Sequence, residues 1–338
     1  MVERFSQNNE MKVLVVTNMY PTADRPYFGI FVKEQIDAIK KYHPNVDFDI
    51  YCIEGGGVKG KSKWLSLINY MKSVWKIDKL FRKRHYDLVH VQYGFSGLYL
   101  LNPFHKRIPV LVTLHGGDIQ PEQKKQFQVY ATRKILRIAS FAITLNERMD
   151  GIARHYIKST KIIPCSIDSS LFQPSLNKNK YSDRPLIVFP SKRERFEKNY
   201  PLFEETIILL KSQYGINCET IEVKNMSRKE VKELYQKADL LLMTSISEGS
   251  PQVVKEAMAC NLPVVSTPVG DVRILLDGVK GCAVSEQLDA HELARLANDS
   301  LSGKLDGING SDKIKILGLD SKTVSDKIYD IYQMLAKK

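Results

Sequence analysis

A chain of 338 residues, 43% hydrophobic and 9% aromatic, has the length for two packed cores and the composition for neither disorder nor a membrane bundle. No apolar run approaches the roughly 20 residues of a spanning helix, and the start of the sequence carries no secretory signal pattern. The five cysteines (Cys52, Cys165, Cys218, Cys260, Cys282) are scattered, with no CxxC pair and no Cys/His cluster. They argue against a disulfide framework and structural zinc, and for reduced thiols in a cytoplasmic protein.

The net charge of +12 is uneven. Residues 1–165 carry 26 Lys+Arg against 14 Asp+Glu and residues 166–338 carry 24 against 24, so the whole excess lies in the first half. Such a field favours an anionic partner: a membrane surface, polyphosphate or nucleic acid. Plain solubility is the alternative.

After a polar start, residues 12–17 form a short apolar run that reads as a buried parallel strand. A helix over 31–41, a strand over 47–53 and a long basic amphipathic helix over 64–84 follow. Residues 87–91, 109–113 and 141–145 are further strands, with helical sequence between them, notably 123–138. A polar segment at 173–180 separates this half from a second. There the strands are 186–189, 219–223, 239–243 and 263–266, and the helices 200–214, 227–238 and 253–259. Ser227 and Glu230 fit a capping box, and the chain closes on a helix over 322–336. Strand–helix alternation in both halves predicts an α/β fold of two doubly wound, Rossmann-like domains facing a central cleft. The expected boundaries are 1–170, 171–320 and a last helix, 321–338, crossing back to the first domain.

The segment Ser247-Glu248-Gly249-Ser250-Pro251-Gln252-Val253-Val254-Lys255-Glu256 sets two carboxylates eight positions apart. On one continuous helix they would diverge by about 80°. With Glu248 in a loop and a helix starting near Pro251, both face one side. The helix N-terminus then offers N–H groups to an anion. Carboxylates for hydroxyls beside donors for phosphate suggest a sugar nucleotide. Arg193 and Lys198, in the loop after the first strand of the second half, could clamp a diphosphate, the one as a fork and the other as a point charge. His115-Gly116-Gly117-Asp118 follows a strand at the end where ligands bind; a structural histidine is the plain reading. Gly29, after the first strand, could admit a phosphate closely or simply turn the chain.

Two patterns near residue 55 compete. Gly55 to Ser62 matches GxxxxGK[ST], and Gly55, Gly57 and Gly60 match GxGxxG. No strand ends in the metal-holding Asp that a P-loop needs, and the loop follows the second strand rather than the first, so a basic surface loop is the better reading. In the next helix Trp64, Leu67, Ile68, Met71, Trp75 and Leu80 line one side, and Lys72, Lys76, Lys79, Arg82, Lys83 and Arg84 make the remainder basic, with Lys59, Lys61 and Lys63 upstream. This is either a sheet-covering helix or a surface for anionic lipid; no nucleic-acid motif accompanies the charge.

Together these residues resemble the retaining family 4 glycosyltransferases of GT-B architecture, of the bacterial polysaccharide or glycolipid type, from about Met11 to about Leu276. Glu248-Gly249 through Glu256-Ala257-Met258-Ala259-Cys260-Asn261-Leu262-Pro263-Val264-Val265 is similar to the family's E-x7-E segment, and Arg193 with Lys198 to its diphosphate pair. Phe28-Gly29-Ile30-Phe31, His115-Gly116-Gly117-Asp118 and Ile163-Pro164-Cys165-Ser166-Ile167-Asp168 resemble its glycine loop, histidine loop and interdomain segment. The chain departs from the family at Lys192 (usually Gly), at Gly249-Ser250-Pro251 (usually Gly-Phe-Gly) and at Cys165-Ser166 (usually Asn-Gly).

The resemblance implies a metal-independent hexosyltransferase without a cofactor. It would take a nucleotide diphosphate sugar, a UDP-sugar favoured over GDP-mannose, and pass the sugar to a glycan or lipid-linked hydroxyl in cell-surface polysaccharide synthesis. Arg193, Lys198 and the helix N-terminus would steady the leaving diphosphate. Glu248 would hold sugar hydroxyls and Glu256 the ribose. Gly249, Ser250, Pro251, Gln252 and Val253 would line the donor. His115, expected near neutral pKa, and Asp118 would serve the sugar or acceptor side, and Asn225 is a candidate base. Domain closure over the donor is expected. The expected location is the cytoplasm, or the inner face of the membrane as a peripheral protein. A sugar-nucleotide epimerase or hydrolase of the same architecture, or a P-loop protein using Lys61 and Ser62, are the alternatives.

Overall fold

The structure is a computed structural model that describes residues 10–23, 25–53, 63–105, 107–120, 126–175 and 184–337. The glycine-rich stretch 55–62 lies outside the described residues. The chain divides into two compact units, 1–164 with 322–338, and 165–321. The division falls before Cys165 rather than after residue 170, because Ile167 and Phe172 are buried in the second core. Among the described residues no helix is long and apolar enough to cross a membrane.

In the first unit β1 (Met11–Thr17), α1 (Ile30–Tyr42), β2 (Val46–Cys52), α2 (Lys63–Lys83), β3 (Leu88–Gln92), β4 (Val110–Thr113), α3 (Gln126–Leu136), β5 (Phe141–Thr144), α4 (Glu147–Ala153) and β6 (Thr160–Ile162) follow in order. The sheet runs β2-β1-β3-β4-β5-β6, every neighbouring pair parallel. Val13 to Val16 are fully buried, as a parallel strand covered on both faces requires. Three elements of this unit escaped the pattern reading, one of them β6, a three-residue edge strand with no buried side chain. The 3-10 stretch Gly94–Leu101 has no amphipathic period, and α4 spans two turns, capped by Asn146 accepting from the Met149 N–H.

Helix α2 forms where expected, but with a different face buried. Tyr70, Ser73, Ile77 and Phe81 point inward, Tyr70 against Phe95 and Phe81 against Tyr99. Ile68, Met71 and Trp75 stand in solvent, Trp75 82% exposed. They share a stripe with Lys72, Lys79 and Arg82, and the neighbouring Lys76 is also exposed. The side chains of Trp64 and Leu67 lie outside the described residues.

The second unit contains β7 (Leu186–Phe189), α5 (Tyr200–Tyr214), β8 (Glu219–Glu222), α6 (Arg228–Lys237), β9 (Leu240–Met243), α7 (Gln252–Ala259), β10 (Val264–Ser266), α8 (Val272–Leu276), β11 (Ala283–Val284), α9 (Ala290–Leu301) and α10 (Gly310–Ile316). Its parallel sheet runs β11-β10-β9-β7-β8. The last helix, α11 (Ser321–Ala336), turns Val324, Ile328, Ile331, Tyr332 and Leu335 into the core of the first unit, beside Val13 and Val15.

In both sheets the chain starts in the interior, adds a strand on one side, and returns to the other. The reversal lies between β1 and β3 in the first unit and between β7 and β9 in the second. There the loops leave in opposite directions and open a crevice at the carboxyl ends of the strands.

The capping box at α6 is complete: Ser227 accepts from the Glu230 N–H, and Glu230 accepts from the Ser227 N–H. Ser227→Ala should lower stability by about 1 kcal/mol in equilibrium urea denaturation, and Ser227→Asp should restore it.

Candidate active site

The loops after β7 and β9 flank the reversal of the second sheet. They are stitched together by backbone: Ile246 N–H donates to Glu197 O (2.9 Å), and the Thr244 hydroxyl lies 3.1 and 3.0 Å from the carbonyls of Lys198 and Asn199. This brings Lys198 against Glu248 in a direct ion pair, with both side chains largely buried. Ser245 Oγ donates to the same carboxylate oxygen at 2.8 Å. A nearly dry pair of this kind is held by geometry rather than by solvent screening.

Arg193 lies at the outer side of the loop. Its Nε donates to Glu222 Oε2 at 2.9 Å and its guanidinium stacks 4.9 Å over the Tyr200 ring. The bond to Glu222 raises its already high pKa. Because Glu222 takes Nε and the backbone N–H, the two terminal nitrogens keep their fork geometry. Asn225, in the left-handed region at φ 55°, accepts from Lys192 Nζ at 2.7 Å. The lysine that stands where the family has Gly therefore reaches across to β8.

Helix α7 begins at Gln252, with Pro251 one place earlier at the N-cap and no side-chain cap. Its first N–H groups are the anion-attracting end expected. Gly249 and Gly270 touch: a Cβ on Gly270, whose φ is +57°, would lie 2.5 Å from Gly249 O. Ser250 Oγ donates to Asp271 at 2.7 Å. Glu256, 3% exposed, is gripped by Arg228 Nη1 at 2.7 Å, and Arg228 stacks 4.6 Å over Phe172.

Three residues here were missed by sequence reasoning. Arg228 had a signal, since a cation in the first turn of a helix opposes the dipole and needs a local carboxylate. Glu222 had none. Lys255 interrupts the apolar side of α7 and is completely buried, its Nζ 2.8 Å from Cys165 O and 2.8 Å from Gln252 Oε1. Burial pushes its pKa down, while Asp271 and Glu256 push it up. Gln252 Nε2 grips the next carbonyl, Ser166 O, at 2.8 Å. The segment similar to the interdomain motif is thus anchored to α7, and among the described residues no group of three His, Cys, Asp or Glu is arranged to hold a metal.

In the first unit, Gly29 has φ +69°, and a Cβ there would lie 2.4 Å from the Met19 carbonyl carbon. Close approach of backbone therefore accounts for this glycine. Asp118 is fully buried and accepts from the N–H groups of Gly94 (2.7 Å) and His115 (3.0 Å). Its carboxylate shapes the histidine loop from within, and burial lifts its pKa to about 6 against these bonds. His115 corrects an expectation. It is half-buried, 5.1 Å from the Phe31 ring, and desolvation depresses its pKa to about 3 instead of leaving it near neutral.

Comparison with known proteins places this geometry. The model for Glycosyltransferase Family 4 matches residues 12–171, and that for Glycosyl transferases group 1 matches residues 200–309. The chain belongs to these glycosyltransferases, and its two units have the GT-B fold. It is 23% identical over 326 residues to TuaC of Bacillus subtilis, assigned as a teichuronic acid biosynthesis glycosyltransferase, covering 78% of this chain and 83% of TuaC. It is 21% identical over 358 residues to an Escherichia coli UDP-Gal:alpha-D-GlcNAc-diphosphoundecaprenol alpha-1,3-galactosyltransferase, covering 92% of this chain and 89% of that one. Among solved structures, sucrose-phosphate synthase from Thermosynechococcus elongatus superposes with TM-score 0.78 at 18% identity, covering 96% of this chain and 99% of that chain. Anabaena HepE in complex with UDP-glucose superposes with TM-score 0.68 at 15% identity, covering 96% and 100%.

The buried histidines set a pH dependence of stability. His90, like His115, has its pKa depressed to about 3 against an ordinary 6.5. An unfolded chain takes up protons below pH 6.5 that the folded chain refuses. Stability is therefore full above 6.5 and falls as pH drops, by up to about 1.4 kcal/mol per pH unit for each histidine. Asp118 has the opposite sign, because its folded value of about 6 exceeds the ordinary 3.8. Between those values it makes stability fall as pH rises, and Asp271, also raised by burial, acts in the same direction. Urea melts at about pH 7.5, 5.5 and 4.5 should show net acid destabilisation, shallower in His115→Asn and steeper in Asp118→Asn.

Proposed function

We propose that this glycosyltransferase transfers a hexosyl group from a UDP-sugar, with retained anomeric configuration and without an obligatory metal or cofactor, to a hydroxyl of a glycan or lipid-linked acceptor in cell-surface polysaccharide synthesis. The observation that carries the donor assignment is the buried Lys198–Glu248 pair at the strand-order reversal, beside the uncapped start of α7. The UDP-glucose bound to HepE and the UDP-Gal and diphosphoundecaprenol in the name of the E. coli relative support the donor and acceptor classes. TuaC supports the polysaccharide setting, and the alpha-1,3 linkage in the E. coli relative's name supports retention.

In this reading the bond from the anomeric carbon to the diphosphate oxygen breaks and its electron pair leaves with the diphosphate. A bond to the acceptor oxygen forms, and the acceptor proton passes to the leaving diphosphate. The charge that grows on the diphosphate meets Arg193, Lys198 and the N–H groups of Gln252 and Val253, the electrostatic role that a divalent ion would otherwise fill. Glu248, freed from Lys198 as that lysine turns to phosphate, faces the electron-poor sugar ring. Glu256, fixed by Arg228, accepts from ribose hydroxyls. A thermal-shift panel of UDP, GDP, ATP and their sugars, with EDTA and with Mg²⁺, tests this. UDP should raise the midpoint equally in both, and Arg193→Ala or Lys198→Ala should weaken binding at least about tenfold. A response to ATP and Mg²⁺ alone would overturn the assignment in favour of the loop at Lys61.

We assign the acceptor to the first unit, and its membrane contact to α2. Ile68, Met71 and Trp75 stand exposed among lysines, an arrangement suited to the headgroup region of an anionic bilayer at the inner face of the membrane. Flotation with vesicles rich in phosphatidylglycerol should capture the protein at low salt, and Trp75→Ala with Lys72→Ala and Lys79→Ala should abolish capture. Flotation unchanged by those substitutions would remove α2 from the contact.

A further inference from the structure

Behind His115 the first unit buries a chain of polar side chains that glycosyl transfer, as described, does not use. His90 and Gln92 of β3 are each 1% exposed, and Tyr332 of α11 is fully buried. His115 Nε2 lies 2.8 Å from Gln92 Oε1. Gln92 Nε2 lies 2.6 Å from Gln35 Oε1 and 3.2 Å from His90 Nε2. His90 Nε2 also meets the Thr113 hydroxyl at 2.7 Å, and His90 Nδ1 meets the Tyr332 hydroxyl at 2.6 Å.

The chain has a direction. An amide offers two N–H donors on one atom and a pure acceptor on the other. With its nitrogen donating to Gln35 and toward His90, Gln92 presents only an acceptor to His115, so the contact needs a proton on His115 Nε2. His90 Nε2 receives from Gln92 and Thr113, so that nitrogen is bare and Nδ1–H donates to Tyr332. Each link has one donor and one acceptor. With the Gln35 amide oxygen placed toward Gln92, turning the Gln92 amide over would set oxygen against oxygen. The titratable groups around His115 are His90, Asp118 and Tyr93. Asp118 is committed to backbone N–H groups, and the Tyr93 hydroxyl donates to Gly117 O.

We propose that Gln92 is a positioning residue that holds His115 as the Nε2–H tautomer. This leaves Nδ1, which has no partner among the described residues, as a bare acceptor that selects a hydroxyl group and repels a phosphate or carboxylate oxygen. Which hydroxyl this is, on sugar or acceptor, rests on the function proposed above; the tautomer does not. The chain also ties the histidine loop to α11, the last helix of the sequence, through Tyr332. A neutral imidazole with a fixed proton discriminates ligands by hydrogen-bond polarity, as a buried amide does.

The test is a long-range ¹H–¹⁵N spectrum of the full chain, whose seven histidines include His115, assigned by its loss in His115→Asn. From about pH 8 to 5 the wild type should show His115 with Nε2 protonated and Nδ1 bare. Gln92→Leu should collapse this to a tautomer average while the desolvation that depresses the titration stays in place. Gln92→Glu keeps the acceptor and adds charge, so it should restore Nε2–H and yield imidazolium at a higher pH. An Nδ1–H tautomer in the wild type, or a spectrum unchanged in Gln92→Leu, overturns the proposal. If Gln92→Leu does not fold, a His115 that stays neutral to about pH 5 in Gln92→Glu overturns it. Thermal shift with UDP on the same samples reads the diphosphate site alone, so a missing UDP response sinks the donor assignment without touching the tautomer result.

Discussion

The constraint on which the second unit depends is the reversal of strand order between β7 and β9. Two parallel strands side by side, whose chains leave in opposite directions, cannot close their carboxyl ends with their own helices. The loops that follow must carry polar groups at the rim of an apolar sheet, and those groups must satisfy one another when no ligand is present. The Lys198–Glu248 pair, Thr244 on the carbonyls of Lys198 and Asn199, and Ser245 on Glu248 are that satisfaction.

Charge balance along this wall follows from the same constraint. Arg193 faces Glu222, Lys198 faces Glu248 and Arg228 faces Glu256, so each of these cations has its own carboxylate, with Lys224 a second partner of Glu222. An unpaired charge at the two inner positions would cost several kcal/mol. Arg193, half-exposed, is far less costly to leave partly unpaired, which suits it to meet a diphosphate first. Behind the wall, Lys255 ties α7 to the Cys165 carbonyl and Gln252 ties it to the Ser166 carbonyl, and Asp271 ties the Ser250 loop to the start of α8. One carboxylate oxygen of Asp271 remains buried without a partner. Burial raises its pKa, and the field of Lys255, with hydrogen bonds from Ser250 and its own backbone N–H, opposes that shift only in part.

Much of this was legible in the sequence because it is written in local pattern. Continuous apolar runs marked the inner strands, Ser227 with Glu230 marked a helix start, and the spacing of Glu248 and Glu256 around Pro251 marked a loop-to-helix junction. What could not be read is pairing between distant positions. Nothing local tells Glu222 that it will meet Arg193, or Gln92 that it will meet His115. Helix α2 failed for a related reason. Its apolar residues occupy two faces, Tyr70 with Ile77 and Phe81 on one and Ile68 with Met71 and Trp75 on the other, and periodicity alone cannot say which one meets the protein. Burial decided it, and the face left outside is the one with a tryptophan among lysines.

The histidine loop shows how far burial can redirect a residue's chemistry. On composition His115 is a titratable group at the end of a strand, the usual description of a general base. In the fold it is desolvated, backed by Phe31 and hydrogen-bonded to Gln92, and its loop is braced by a buried carboxylate. A base needs its conjugate acid to be accessible near the working pH, and a site that holds imidazole neutral down to about pH 3 withholds it. Asp118, the nearest carboxylate, is spent on backbone N–H groups and cannot stabilise an imidazolium as a triad aspartate does.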